Sequence, residues 1–249
     1  MSEFNIGFVI FPGITQLDFT GPFEVLSRLG TPPSLSAPSR FPNSRTHIVA
    51  KTMQPVSSDR GLGVLPSCTF GSCPPLDLIC VPGGPGVVEA LADVETIEFI
   101  RCQGERAAYV TSVCMGAFLL GGAGLLNGRR AATHWAYVDL LPLIGASHEK
   151  GRVVRDGKLF TSGGVSAGID FAFGIVAELA GPEVAQAIQL GIEYDPSPPF
   201  DVGHPDKAPE EALALMLKRN ESAHARIREK LEAIATANLA IAPLVGSRA

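Results

Sequence analysis

The sequence reads as a single α/β domain, a three-layer sandwich around a mainly parallel sheet. Two observations predict this. Short apolar, β-branched runs alternate with helix-period segments along 249 residues, the pattern of parallel strands joined by crossover helices. Two of those runs also end in glycine-containing turns, Pro82-Gly83-Gly84 and Cys114-Met115-Gly116, where a strand must hand over tightly to the next element. With 46% hydrophobic and 18% charged residues, the chain has ample material for a core. No internal repeat is visible, and no linker divides two independent cores.

Taken in order, Phe4 to Phe11 is a first strand, and Pro12 to Phe19 is the loop after it. Gly21-Pro22 reads as an N-cap and first helical position, opening a helix to about Leu29. Residues 30–45, GTPPSLSAPSRFPNSR, form a Pro/Ser-rich surface loop. Thr46 to Lys51 is a second strand, residues 61–70 a small strand or hairpin, and Leu76 to Val81 a third buried strand. Helical segments come next at Val87–Leu91 and Val94–Glu105. Tyr109 to Val113 is a buried strand, and Met115 to Leu126 the helix after it. Trp135 to Ile144 reads as a helix, and Val153 to Thr161 as a hairpin turning at Asp156-Gly157. Helices are expected at Ser166–Ala180, ended by Gly181-Pro182, and at Glu183–Glu193. The Pro-rich stretch DPSPPFDVGHPDKAP precedes a C-terminal helical extension from about 209, with the helix itself at Glu210–Ala235.

Composition narrows the function. Net charge is −5 and the pI about 5.6, which points away from nucleic acid as a partner. The start, MSEFNIGFVIFPG, has Glu3 in place of a basic cluster and lacks a small-residue cleavage site, so it does not read as a signal peptide. No apolar run approaches membrane-spanning length. Five cysteines without zinc-finger spacing suit a reduced, cytoplasmic protein.

Cys114 is the most informative residue. It stands at a sharp strand-to-helix turn with Gly116 two positions on, the layout of a nucleophile elbow with sulfur in place of a serine hydroxyl. A thiol at a helix start is expected to be thiolate-like, because the dipole and free N–H groups favour the anion. The bland alternative is a buried, inert cysteine. Parallel strands put their carboxyl ends along one crevice, so Asp18 after the first strand, Gly83-Gly84 after the third and Cys114 can converge. Asp18 is a general acid/base candidate, though an ordinary loop or capping carboxylate would look the same in isolation. The N–H groups of Gly83, Gly84 and Met115 are candidates to face developing negative charge.

Other features carry less. Cys80 and Cys102 read as packing residues, while Cys68 and Cys73 could be neighbours with nothing requiring a disulfide. His134, in AATHW, is the histidine nearest the elbow; a structural role is preferred because nothing points its imidazole at Cys114. The five dispersed histidines form no metal-ligand pattern, and GGPGVV and GGAG lack the dinucleotide fingerprint, so neither metal nor nucleotide cofactor is expected.

Five segments carry a resemblance: IGFVIFPGITQLDFTGPFEVL, PPLDLICVPGGPGV, YVTSVCMGAFLLGGAGLLNGRRAATHWAYVDLLPLIGA, RVVRDGKLFTSGGVSAGIDFA and IEYDPSPPFDVGHPDKAP. They resemble the PfpI-like cysteine superfamily, of class I glutamine amidotransferase-like, flavodoxin-like fold, and within it the isocyanide hydratases. The resemblance implies a homodimeric, cofactor-free hydro-lyase that adds water to a small-molecule isocyanide to give an N-formamide. It assigns Cys114 as nucleophile, Asp18 as general acid/base, and a covalent thioimidate formed between Cys114 and the isocyanide carbon. Two departures stand out. Met115 occupies the place where these hydratases usually carry threonine, and a thioether cannot donate a hydrogen bond. The 30–45 loop is also longer than the family pattern. The competing readings are another PfpI-like hydrolase or deglycase, and a catalytically silent ligand-sensing domain like that of AraC-type regulators. Proteases of the superfamily place histidine directly after the cysteine, and related members often use glutamate as the acidic partner. Met115, and Asp18 within TQLDFTGP, favour the hydratase branch.

Overall fold

In the computed structural model, residues 3–32 and 37–241 are described, with side chains up to residue 236. Eleven strands and seven α-helices are found among them. The strands are β1 (Phe4–Val9), β2 (Ser44–Ala50), β3 (Val56–Ser57), β4 (Gly63–Val64), β5 (Cys68–Thr69), β6 (Leu78–Val81), β7 (Tyr109–Val113), β8 (Arg130–Ala131), β9 (Ser147–His148), β10 (Val153–Asp156) and β11 (Leu159–Ser162). The helices are α1 (Gln16–Leu26), α2 (Val87–Ala90), α3 (Val94–Arg106), α4 (Gly116–Gly122), α5 (Ala167–Ala180), α6 (Pro182–Gly191) and α7 (Glu210–Ile241).

Seven strands form one sheet in the order β10-β11-β7-β6-β1-β2-β5. Every pairing in it is parallel except the β10–β11 hairpin at one edge. The central strands β6 and β7 are buried almost throughout because helices cover both faces, β6 as a continuous hydrophobic run and β7 with Thr111 and Ser112 buried among apolar residues. One helical layer contains α1, α5 and α6; the other contains α2, α3, α4 and α7. The mainly parallel, three-layer α/β architecture expected from the sequence is therefore present. Its core is a continuous cluster from Ile6 and Phe8 on β1 to Ile227 and Leu231 on α7.

Several boundaries differ, for identifiable reasons. Helix α1 begins at Gln16, and Pro22 lies inside it instead of opening it. Extended Thr15 is the true N-cap, with Asp18 N–H donating to Thr15 O at 3.0 Å. Pro22 removes one helical donor, but α1 continues because Asp18, Phe19, Val25 and Leu26 are buried. Helix α4 stops at Gly122 instead of Leu126, where the glycine-rich run takes over and Gly124 adopts φ +76°. Trp135–Ile144 is a 3-10 helix, with Pro142 inside it. The 61–70 region contains two pieces: β4 pairs antiparallel with β3, and β5 adds an edge to the main sheet. The short β8–β9 pair has no signal in the sequence. Residues 33–36 of the expected 30–45 loop lie outside the described residues.

The loops that position the site are held by a glycine clasp. Gly86 N–H donates to Gly13 O at 3.0 Å, and a Cβ on Gly86 would collide with Pro12 O. Gly86→Ala is therefore expected to destabilise the fold by about 1–3 kcal/mol, the usual cost of forcing atoms into a filled space. Urea unfolding at neutral pH measures it, and an unchanged midpoint would mean that the clasp yields freely.

Candidate active site

The carboxyl ends of β1, β6, β7 and β11 lie on one edge of the sheet, and four short segments leave them there. Cys114 follows β7 directly and has φ +57°, a left-handed conformation unusual for a side-chain-bearing residue. Its neighbours hold it there. Cys114 N–H is shared between Ser162 O at 3.2 Å and Gly163 O at 3.1 Å, and Thr133 Oγ1 donates to Cys114 O at 2.8 Å. A Cβ on Gly116 would collide with Val81 O, so glycine is what lets α4 begin against the end of β6.

Asp18 arrives from the first turn of α1 and is fully buried. Its Oδ2 accepts from Gly83 N–H at 3.0 Å, while Oδ1 has no hydrogen-bond partner of standard geometry. Gly83 O in turn accepts from Thr15 N–H at 3.0 Å, so the turn after β6 grips the start of α1 through both backbone polar groups of one residue. A Cβ on Gly83 would lie 2.6 Å from Met115 N, 2.9 Å from Asp18 Oδ2 and 2.9 Å from Cys114 Cβ. Carboxylate, nucleophile and helix-start amide thus surround one point that only glycine leaves clear.

Burial pushes the Asp18 pKa up to about 7, against the Gly83 N–H and the Cys114 thiol, which favour the anion; the charge of Asp59 adds to the rise. The thiol is also pushed well above its ordinary value, by burial first and by the Asp18 charge second. The N–H groups of Met115 and Val165 pull in the other direction. This corrects the expectation of a thiolate-like resting cysteine. The helix-start amide is present, but a 4%-exposed sulfur beside a buried carboxylate keeps its proton.

The other candidates have clear places. Met115 is buried and forms the N-cap of α4 with φ −70°, its amide turned to the sulfur. Gly83 N–H is committed to Asp18 and does not face a reacting centre. Gly84, at φ +126°, presents its α-carbon to the backbone of Gly13, Ile14 and Thr15, so its visible role is close packing of the turn. His134 caps the 3-10 helix: its Nδ1 accepts from Ala136 N–H at 3.2 Å, and burial lowers its pKa to about 4, leaving the ring neutral. Cys68 and Cys73 are adjacent free thiols, and Cys80 is buried in β6. Among the described residues no His/Cys/Asp/Glu group has metal-binding geometry, and no helix is long and apolar enough to cross a membrane.

The structural hydrogen-bonding role expected of the Thr133-His134 pair is present, while sequence reasoning missed Val165. Val165 has φ +39°, an outlier for a β-branched residue, and comes after Gly163-Gly164 at the end of β11. That strand-then-glycine-pair pattern repeats the one at Gly83-Gly84, and it was the available signal.

Residues 5–178 match the family model described as the DJ-1/PfpI family. The chain belongs to the DJ-1/PfpI family. Among DJ-1/PfpI relatives it is 52% identical over 215 residues to an isonitrile hydratase of Pseudomonas putida, an alignment covering 86% of this chain and 89% of that one. A THiJ/PfpI family protein from Pseudomonas syringae superposes with a TM-score of 0.84 at 39% identity, covering 94% of this chain and 91% of that one. The HTH-type transcriptional regulator GbdR of Pseudomonas aeruginosa is 26% identical over 195 residues, which is 77% of this chain and 51% of the regulator. The likeness to that regulator thus spans about half its length.

The buried carboxyl makes a stability prediction. Asp18 has a folded pKa of about 7 against an ordinary value of 3.8. Between those values the unfolded chain releases a proton that the folded chain retains, so folding weakens as pH rises through this window. Asp18→Asn abolishes that dependence. The variant should gain stability relative to wild type as pH goes from 4 to 7, by up to about 4 kcal/mol. Denaturant unfolding at several pH values checks this; parallel stability curves for the two proteins would refute a raised carboxyl.

Proposed function

We propose that the protein is an isocyanide hydratase, converting R–NC and water to R–NH–CHO by covalent cysteine catalysis. The observation that carries the chemistry is the isolated pair of Cys114 and Asp18, with the carboxyl titrating near neutrality. The substrate class is supported by the 52%-identical isonitrile hydratase.

Above about pH 7 the pair holds one proton, on sulfur, with Asp18 ionised. Asp18 takes the thiol proton as sulfur attacks the terminal isocyanide carbon, then delivers it to that carbon. The product is a thioimidate, R–N=CH–S–Cys114. The N–H groups of Met115 and Val165 favour the transient thiolate. Water then adds to the same carbon, with Asp18 accepting its proton and passing it to the substrate nitrogen. Collapse of the tetrahedral adduct breaks the C–S bond, releases the formamide and returns a proton to sulfur. Each step moves one proton between sulfur, carboxylate and substrate, which a carboxyl near neutral pKa does with little penalty in either direction. The sequence requires only Cys114, Asp18 and water, so the reading is cofactor-free. It also carries the homodimer implied by the resemblance. A reducing, cytoplasmic setting suits the five free cysteines.

Three substitutions test the reading on alkyl and aryl isocyanides. Cys114→Ala is expected to abolish formamide production, and full turnover by that variant would sink the mechanism. Asp18→Asn should lower turnover by about two orders of magnitude or more. In wild type, activity should fall as pH drops through about 7, because a protonated Asp18 cannot accept the thiol proton; a flat profile there would point to another base. Met115→Thr should raise activity on simple isocyanides by about tenfold if a hydroxyl restores one hydrogen bond in the transition state. Identical kinetics on small and large substrates would remove the Met115 side chain from the working site.

A further inference from the structure

The sheet edge that carries Cys114 also holds a cavity of about 700 Å3 that the chemistry above does not use. Asp18, Cys114, Met115 and Val165 are not among its lining residues. It lies outside the carboxyl ends of β1, β2 and β6, where Phe11, Lys51 and Pro85-Gly86 follow those strands. The chain leaves β1 for β2 on one side and later takes up β6 on the other, so the strand order reverses here. Open α/β sheets leave a ligand crevice at such a reversal, because the connections on its two sides depart to opposite faces.

The cavity has an apolar floor and a charged mouth. Ile10, Phe11, Ala50, Val56 and Ala90 are all buried and supply the floor. Phe70 adds a ring held in place by stacking on Phe99, with centroids 4.5 Å apart at 13°. Four charged side chains line the cavity, and each is already paired. Lys51 Nζ lies 3.0 Å from Asp93 Oδ1 and 3.1 Å from Glu95 Oε1, and Arg226 Nη2 lies 2.6 Å from Glu89 Oε1. Asp93 Oδ2 also accepts from Thr96 Oγ1 at 2.7 Å. The Arg226–Glu89 pair joins α7, which lies beyond the family-matched residues 5–178, to α2. Ile227, fully buried beside Arg226, anchors α7 at that point.

These features select a ligand. A charged molecule would have to break one of the ion pairs to gain a partner, or leave its own charge unpaired over an apolar floor. The volume is that of pockets which enclose a small organic molecule. We propose that this cavity is a second ligand site, for an uncharged small organic molecule with an apolar body. Gly13 and Gly86, the two halves of the glycine clasp, also line it, so the occupant rests on the backbone that positions the catalytic loops. The site is independent of the hydratase reading, since neither reacting group belongs to it.

Benzophenone and 4-carboxybenzophenone share one body and differ by one charge, which makes them suitable probes. Affinity is read by displacement of the neutral fluorophore N-phenyl-1-naphthylamine from the full-length protein. Location is read by irradiation and peptide mapping. Benzophenone should bind about tenfold or more tightly than its carboxylate, because the charged form meets no free partner. Equal or reversed affinities, or no binding of benzophenone, would overturn the proposal. Photolabels should fall within residues 10–13, 50–56 and 85–96 or on Arg226. Labels confined to Asp18, Met115 or the turn at 163–165 would put the probe in the catalytic crevice, and labels elsewhere would make it a surface contact; either result overturns the site. Prior alkylation of Cys114 by iodoacetamide should leave benzophenone affinity unchanged, and loss of binding would refute a separate site. Ala90→Leu, which fills part of the floor, should weaken benzophenone by about tenfold, the scale of a few carbons in an apolar pocket. Unchanged affinity in the folded variant counts against the site, and if that variant does not fold the photolabel map decides.

Discussion

Everything at this site depends on the space left empty at Gly83. The ends of β6 and β7 and the start of α1 approach so closely that one methyl group there would strike Asp18, Cys114 and the Met115 amide together. Gly83 uses its N–H on Asp18 and its O on Thr15, so it also links the carboxylate to the helix that carries it. Cys114 and Asp18 are consequently placed by backbone, which is stiffer than side-chain packing and tolerates less drift. The positive φ angles of Cys114 and Val165 belong to the same arrangement, with backbone bent to aim one sulfur and one amide at each other.

The arrangement costs stability and returns reactivity. A fully buried carboxyl with one oxygen lacking a well-formed hydrogen bond is a poor choice for a core. Removed from water, however, it binds and releases a proton near neutral pH, which an exposed aspartate does not do. The same burial holds the thiol protonated until the carboxylate draws the proton away. In the proposed mechanism nucleophile and base are therefore armed together, and the site avoids a standing thiolate that would be open to oxidation.

The sequence is most legible where local chemistry and topology agree. Strand β7, the turn at Cys114 and the parallel order of the sheet can be read from apolar runs punctuated by glycine, and the crevice rule brings Asp18 to Cys114 from nearly a hundred residues away. Element boundaries are lost where tertiary packing overrides local signals. Pro22 looks like a helix start, yet buried neighbours carry α1 through it. The ionisation of Cys114 is misread from sequence because a helix-start amide is visible there, whereas the burial that outweighs it is not. Val165 is invisible for a related reason: a backbone amide acts through position alone, and the residue type announces no chemistry.

Strand β1 is the first element in the chain but lies inside the sheet, between β2 and a later partner, β6. Its second neighbour is synthesised only after β2 through β5, and the strand that carries Cys114 comes later still. Long-range parallel pairings of this kind close large loops before they are rewarded, so assembly is expected to be slow compared with that of a helical bundle. During that interval the apolar edge of β1 and the future nucleophile are both uncovered. The chain's capacity for chemistry is therefore a property of its last folding steps: until β11 and the turn at Val165 dock beside β7, Cys114 is an ordinary thiol on an unfinished sheet.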